Sequence, residues 1–311
     1  MLKLNEIIGT EFSIIQGAMA NISTGEFAGK VSNSGGLGII ASGGGDATYF
    51  REQVRIAKSI TKNPFGVNLM LVNPAADELA QIVIEEGVSV VTTGAGNPAK
   101  YIEAWKAAGV KVIPVVPSVA MAVKMERLGA DAVVAEGTES GGHVGETTTM
   151  ALLPQVIAAV NIPVIAAGGI ASGEQYAAAM ALGACGIQVG TCLLVSEECP
   201  IHDNYKNEVI KARDTSTIVT GRSVGVPVRV LKNPMSREYV KLEKTITDKM
   251  ELEKLTLGSL RKAVVEGDVA KGSFMAGQVA GQLKEIKPLR TIFSDLENGC
   301  KETIKNLSNW I

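Results

Sequence analysis

The chain has few aromatic residues, few histidines and few cysteines, and it lacks any long apolar run. Phenylalanine, tyrosine and tryptophan make up 4% of its 311 residues, with two histidines and four cysteines. No apolar stretch reaches the length of a transmembrane helix, and the N-terminal residues lack the charged-then-apolar layout of a secretory signal. The sequence therefore predicts a cytoplasmic protein with no membrane partner.

The chain also lacks an excess of charge of either sign. Its 30 basic and 32 acidic residues give a formal net charge of −2, which excludes a strongly basic, nucleic-acid-binding protein and predicts no nucleic-acid partner. Cys185, Cys192 and Cys199 follow one another at intervals of seven, and Cys300 stands apart. Because this spacing fits no zinc site, we predict free thiols and no metal, with a disulfide or metal role as the alternative.

What the chain does have is glycine, 34 residues of it, and 46% hydrophobic residues, enough for a large core. Short β-branched runs alternate with segments of helical periodicity, which indicates a parallel sheet. The eight runs predict a (β/α)₈ (TIM) barrel over residues 1–199, with an open doubly wound sheet as the alternative. The predicted strands are 13–16, 38–42, 65–70, 89–93, 111–116, 132–135, 164–167 and 186–189.

The repeating pattern stops near residue 199. Residues 200–311 carry more charge and no repeating strand, and helical periodicity predicts helices at 204–212, 236–254, 257–265 and from 288. We expect a C-terminal helical appendage that packs beside the barrel mouth, and not an independent catalytic domain.

Glycines follow the last two predicted strands of the barrel. Active sites of such barrels lie at the C-terminal ends of the strands, and phosphate is commonly bound there by the last two loops. Gly168-Gly169-Ile170 and Gly190-Thr191 occupy these loops and can present backbone N–H groups to an anion. The pair predicts a phosphate site, although a Gly-Gly alone also fits a plain tight turn.

A histidine lies in the glycine-rich loop that follows the sixth predicted strand. His143 is one of only two histidines, and an imidazole at the barrel mouth can transfer a proton near neutral pH. The alternative is a structural or solvent-exposed histidine. His202 lies beyond the barrel, where we expect a structural role.

Other polar residues also lie at or near strand ends. Gln16, Asn68 and Gln188 could hydrogen-bond the heteroatom edge of a flavin or a substrate, or could instead satisfy loop backbone. Glu136 is a candidate site carboxylate or an ion-pair partner. Further along, a basic cluster could meet a phosphate-bearing partner, or could be a solvated face: Arg222, Arg229 and Lys232.

These motifs carry a family resemblance. Residues 136–137, 139–145 and 147–150 closely resemble the flavin-dependent enoyl-acyl-carrier-protein reductases II, which belong to the nitronate monooxygenase superfamily. Segments 15–19, 65–68, 92–98, 166–170 and 188–191 resemble the superfamily as a whole, whereas 227–233 and 267–281 resemble the reductase branch. One departure is Cys192-Leu193, where an Arg-Phe pair is expected.

The resemblance implies an oxidoreductase of type II fatty-acid synthesis. It implies a homodimeric flavoprotein that binds FMN, oxidises NADH or NADPH and reduces trans-2-enoyl thioesters on acyl carrier protein. Nicotinamide preference, acyl-chain preference and any monovalent-cation requirement stay open. His143 is the catalytic candidate. The predicted FMN contacts are Gln16, Gly17, Ala18, Met19, Asn68, Glu136, Gly141, Gly142, Ala167, Gly168, Gly169, Ile170, Gln188, Gly190 and Thr191.

Two other functions compete with the reductase. One is a nitronate monooxygenase, with the same cofactor and barrel, in which oxygen replaces the nicotinamide and His143 removes a proton from carbon. The other is a flavin-binding barrel with a regulatory role and no enzyme activity. The 267–281 segment favours the reductase over the monooxygenase. The many candidate site residues at the barrel mouth argue against a purely regulatory, non-enzymatic role.

Overall fold

The computed structural model describes residues 3–43 and 45–310. Eight parallel strands form its centre: β1 (Ile14–Gln16), β2 (Gly38–Ala41), β3 (Phe65–Met70), β4 (Val90–Gly94), β5 (Lys111–Val116), β6 (Val133–Glu136), β8 (Val164–Ala167) and β9 (Gly186–Val189). Their order is β1-β9-β8-β6-β5-β4-β3-β2. The backbone N–H of Leu37, just before β2, donates to Ile14 O of β1 at 2.9 Å, which closes the ring. The predicted TIM barrel is confirmed.

Helices surround the barrel and connect its strands. They are α1 (Leu4–Ile8), α2 (Gly25–Asn33), α3 (Ala47–Ile60), α4 (Ala76–Glu85), α5 (Ala99–Ala107), α6 (Val119–Arg127), α7 (Thr149–Ala159) and α8 (Gly173–Ala181). Several start where a short polar side chain accepts a hydrogen bond from the first turn, which satisfies N–H groups that have no partner inside the helix. Thr24, Asp46, Ser118 and Ser172 cap α2, α3, α6 and α8 in this way.

Along each strand, successive side chains point alternately to the inside of the barrel and to the surrounding helices. Ile39, Val90 and Ile165 belong to the core inside the barrel, whereas Val67 and Val91 belong to a core that includes helical side chains. At the C-terminal ends of the strands, the inward-facing residues are polar, and they form the layer of the barrel interior nearest the mouth. These residues are Asn68, Thr92, Glu136 and Gln188.

The C-terminal region packs on the barrel mouth and is only partly helical. Its helices are α9 (Asp203–Ile210), α10 (Pro234–Leu242), α11 (Lys249–Thr256), α12 (Ser259–Arg261) and α13 (Leu289–Leu307). The single helix expected at 236–254 is wrong, because the chain leaves the helix after Leu242 and starts again at Lys249.

The region also contains two strands that the sequence did not predict. The strands β10 (Thr217–Thr220) and β11 (Val228–Leu231) pair antiparallel, and β11 also pairs with β7 (Gly142–His143), which lies in the loop after β6. This small sheet ties the C-terminal region to the barrel mouth. Among the described residues, no helix is long and apolar enough to cross a membrane.

Candidate active site

A cavity of about 610 Å³ lies at the C-terminal ends of the barrel strands. Such a volume suits a cofactor or a small ligand. Its wall includes His143 and, apart from Gln16, every residue predicted above to contact FMN. Those residues are Gly17, Ala18, Met19, Asn68, Glu136, Gly141, Gly142, Ala167, Gly168, Gly169, Ile170, Gln188, Gly190 and Thr191.

Gln16 is absent from the cavity wall. It shares a face with Ile14 and alternates with Ile15, which faces the barrel interior, so its side chain points away from the axis. Its Nε2 donates to Ser23 Oγ at 2.8 Å, and its Oε1 accepts from Ile39 N at 3.1 Å. The fully buried amide thus connects β1 to β2, and we correct its predicted role from cofactor contact to barrel closure.

The loops after β8 and β9 form a cradle of free backbone donors. Gly168 and Gly169 have φ values of 89° and 74°, in the left-handed region that favours glycine. A Cβ at Gly168 would lie 2.8 Å from Gly137 O, so this turn excludes side chains. Five backbone N–H groups of these two loops have no acceptor within the described chain. Three follow β8 and two follow β9: Gly168, Gly169, Ile170, Gly190 and Thr191. Such donors suit a phosphate.

Glu139 is a site residue that the sequence analysis did not single out. Its carboxylate accepts hydrogen bonds from Thr149 N at 2.9 Å and from Thr149 Oγ1 at 3.0 Å, and it therefore caps the N-terminus of α7. A Cβ on Gly169 would lie 3.3 Å from Glu139 Cβ. The glutamate thus supports the cradle from one side. In the sequence, the only signal for this role is a glutamate ten residues before the threonines that start a predicted helix, and that signal is weak.

Glu136 ends β6 with its side chain directed into the upper barrel, on the cavity wall. Burial raises the pKa of its carboxyl from the ordinary 4.5 to about 7. At neutral pH this group can therefore hold a proton or give one up, a property that is common in functional sites.

The raised pKa makes the stability of the flavin-free protein depend on pH. Between pH 4.5 and about 7, the Glu136 carboxyl is protonated in the folded chain but ionised in the unfolded chain. The stability that the protonated carboxyl contributes at low pH is therefore lost as the pH rises through 7. We expect Glu136→Gln to stabilise the apoprotein at pH 8, by up to about 3 kcal/mol, and far less at pH 5. Urea unfolding at both pH values checks this. An equal effect at both would contradict the buried, proton-holding carboxyl.

His143 lies in the glycine-rich loop after β6, where it belongs to a two-residue strand. It forms β7 with Gly142, and it pairs with Val228 while Gly142 pairs with Arg229. The imidazole remains exposed and lines the cavity, and the protein around it lowers its pKa by desolvation. At pH 7 the ring is therefore mainly neutral, with one N–H donor and one free nitrogen.

Arg229 supports this strand from behind. Only 6% of it is exposed, and its Nε and Nη2 donate to Thr138 O at 3.1 and 3.0 Å, while Nη1 donates to Thr217 Oγ1 at 3.0 Å. The proposed basic cluster is therefore wrong for Arg229, which cannot reach a partner. Of the other two members, Arg222 pairs with Glu146 and Lys232 Nζ donates to Thr215 O.

The C-terminal region supplies one wall of the cavity through Met275 and Val279. Gly277 N donates to Thr191 Oγ1 at 2.9 Å, and a Cβ on Gly141 would lie 2.7 Å from the carbonyl carbon of Ala276. The cradle and the His143 segment are thus both held in place by residues 275–279.

Ser140 presents an unused hydroxyl at the cavity. Its Oγ and that of Thr138 are buried, and neither has a hydrogen-bond partner in the described chain. A buried hydroxyl without a partner loses its interaction with water and gains nothing in return. Ser140 lines the cavity, and its hydroxyl lies near enough to the Glu136 carboxyl to offset part of the rise in that group's pKa. A bound ligand with a polar group would give this hydroxyl a full hydrogen bond.

The remaining candidates have structural roles. His202 Nδ1 accepts from Asn204 N at 3.1 Å and caps α9. All four cysteines are buried and free, as predicted. Burial raises the pKa of the Cys192 thiol to about 12, so the residue that departs from the Arg-Phe pattern is an uncharged group behind the cradle.

Comparison with known proteins gives consistent matches along the chain. The family model for nitronate monooxygenase matches residues 2–299. The solved structure of FabK from Thermotoga maritima is 48% identical, with a TM-score of 0.96, and the match covers 99% of this chain and 98% of that one. A probable nitronate monooxygenase of Staphylococcus aureus (strain Newman) is 31% identical, over 95% of this chain and 96% of the relative.

A third relative is longer than this chain. It is the (3aS,4S,5R,7aS)-5-hydroxy-7a-methyl-1-oxo-octahydro-1H-indene-4-carboxyl-CoA dehydrogenase of Rhodococcus jostii (strain RHA1), 36% identical over 232 residues. The match covers 75% of this chain and 66% of that relative's length. With a family model that spans nearly every residue, the chain belongs to the nitronate monooxygenase family of oxidoreductases.

Proposed function

We propose that the chain is an enoyl-acyl-carrier-protein reductase, which uses FMN and NADH or NADPH to reduce trans-2-enoyl thioesters in type II fatty-acid synthesis. The observation that carries the proposal is the position of residues 267–281, the segment that resembles the reductase branch. Its Met275 and Val279 line the cavity, and Gly277 hydrogen-bonds the Thr191 hydroxyl beside the cradle. Residues of the reductase-like segment therefore form part of the cavity wall.

The cavity fits FMN in its residue types. The free N–H groups of Gly168, Gly169 and Gly190 suit the phosphate, and the side-chain amides of Asn68 and Gln188 suit the heteroatoms of the ring. The buried hydroxyl of Ser140 on the cavity wall is a further polar group that can contact the cofactor. When bound, FMN supplies the hydride-carrying centre that links oxidation of the nicotinamide to reduction of the carbon–carbon double bond.

The residues of the chain would orient the thioester and transfer one proton to it. Reduction of the double bond places a hydride on the β-carbon and requires a proton on the α-carbon. The neutral imidazole of His143 can donate its N–H to the thioester oxygen, which stabilises the negative charge that develops there. Because no other histidine lines the cavity, His143 is our candidate for substrate positioning in its neutral form, or for protonation in its imidazolium form, which returns to the neutral ring when the proton is transferred. Glu136, with a pKa near 7, is a second group that holds a proton at this pH.

The proposed partners are acyl carrier protein and a second copy of the chain. Arg229 is buried, so Arg222 and Lys232 remain the exposed members of the original cluster. Arg222 pairs with Glu146 at the surface, where it can contact an acidic carrier protein. We also propose that the chain works in the cytoplasm.

A nitronate monooxygenase is the second candidate. The observation that favours it is the 31% identity to the probable nitronate monooxygenase of S. aureus over nearly all of both chains. Its chemistry also needs a base, and the mainly neutral imidazole of His143 could serve as one at pH 7.

Anaerobic titration with NADH and NADPH separates the two functions. We expect one of the two nucleotides to bleach the flavin absorbance of the purified holoenzyme rapidly and stoichiometrically, since a reductase needs this half-reaction. A flavin that stays oxidised with both nucleotides, but that turns over with a nitronate and oxygen, would replace our proposal with the monooxygenase.

A further inference from the structure

Neither backbone conformation nor steric crowding requires a glycine at Gly94, at the end of β4. Most other glycines of the cavity wall have such a constraint: positive φ for Gly43, Gly142, Gly168 and Gly169, and a clash below or near 3 Å for Gly141 and Gly145. A Cβ on Gly17 or Gly190 would make only ordinary contacts of 3.5 to 3.8 Å, so those two positions have room for no more than a small side chain. Gly94 has no positive φ, and a Cβ built on it meets no atom within 4 Å.

The period of β4 shows where the missing side chain would point. Val90 belongs to the core inside the barrel, and Thr92 accepts a hydrogen bond from the inward Asn68. Gly94 is next in this inward series and lines the cavity. A glycine in a strand is destabilising and often marks the close approach of a ligand. The open space at Gly94 can therefore receive part of a bound molecule.

The space lies across the barrel from the phosphate cradle. In the strand order, β4 stands four places from β9 in a ring of eight. Gly94 is paired with Met70 on one side. On the other side, Val115 of β5 and Pro117, just after β5, line the cavity. These side chains offer no strong hydrogen-bonding group. The recess suits an apolar chain, and the flexible methionine can adapt to chains of different length.

The recess also adjoins the histidine segment. A Cβ on Gly145 would lie 3.0 Å from Pro117 Cβ, and Gly145 is two residues from His143. A thioester held by His143 would thus have an apolar recess beside it.

We propose that Gly94 is a specificity-determining residue, and that the recess between Met70 and Val115 receives the acyl chain of the thioester. This inference rests on the proposed reductase function. A side chain at position 94 would shorten the recess while leaving the cradle and the strand unchanged, so its effect should grow with the length of the acyl chain.

The test is a series of Gly94→Ala, Gly94→Val and Gly94→Leu holoenzymes, assayed with crotonyl-CoA and trans-2-dodecenoyl-CoA. We expect kcat/KM for the dodecenoyl substrate to fall roughly tenfold or more for Gly94→Val, with a much smaller change for crotonyl-CoA. Flavin content and the rate of anaerobic reduction by the nicotinamide should stay at wild-type values. Ala104→Leu, on the exposed face of α5, is the control for added bulk.

The outcomes are distinguishable. Equal losses for both substrates, or no loss for either, would overturn the acyl-chain assignment. Loss of flavin would overturn it as well, because Gly94 would then face the cofactor. A wild-type enzyme that reduces neither substrate would instead refute the reductase function itself. Because the added Cβ meets open space, the alanine variant should fold even if the larger ones do not.

Discussion

We expect His143→Ala to lower turnover of an enoyl thioester by about 10²–10⁴-fold, the usual contribution of a positioned proton-transfer or hydrogen-bonding group. The imidazole lines the cavity but is not part of the cradle of backbone donors. Flavin content should therefore stay close to that of the wild type. Steady-state assays with crotonyl-CoA and flavin absorbance of the purified variant give both quantities.

The other histidine provides the matched control. His202 caps α9, outside the cavity, so His202→Ala should lose some stability, about 1 kcal/mol for a helix cap, and keep its turnover within about twofold. Wild-type turnover in His143→Ala would show that this histidine is structural.

Gly169→Val should yield a folded protein that has lost most of its FMN. Valine is strained at a φ of 74°, and its side chain would contact Glu139, whose Cβ lies 3.3 Å from the added Cβ. Both effects displace N–H groups that the phosphate requires. Flavin absorbance relative to protein, measured after gel filtration, checks this.

A glycine at the other end of the barrel controls for backbone strain. Gly109 has a similar φ of 78°, its Cβ would meet no atom within 4 Å, and it precedes β5 at the opposite end from the cavity. Gly109→Val should lose comparable stability and keep its flavin. If Gly169→Val binds FMN as tightly as the control, the cradle is not the phosphate site. Gly169→Ala serves if valine prevents folding at both positions.

The barrel and the cradle could be predicted because their signals are local. A strand is recognisable from its own run of β-branched residues, and the glycines of the cradle directly follow two such runs. The rule that residues at strand ends form the site does not say which way each one points. Gln16 shows this limit, because its alternation with the inward Ile15 turns it toward β2 and away from the cavity.

The features that the sequence did not predict depend on distant partners. β10 and β11 are short, and their sheet is completed by Gly142 and His143, roughly eighty residues earlier in the chain. The burial of Arg229 follows from the same pairing, because the strand carries its side chain to the carbonyl oxygen of Thr138. Glu139 caps a helix and supports the cradle only once the loop after β6 is folded. A periodicity analysis of single segments contains none of these contacts.

Reoxidation of the reduced holoenzyme tests the central claim most directly. The enzyme is reduced anaerobically and mixed in a stopped-flow instrument with crotonyl-CoA, with a nitronate and oxygen, or with buffer alone, while the flavin absorbance is followed. The account predicts rapid anaerobic reoxidation by the enoyl thioester at a rate that saturates with its concentration, and no turnover of the nitronate. Turnover with the nitronate and oxygen alone, and a flavin that stays reduced with the thioester, would contradict it.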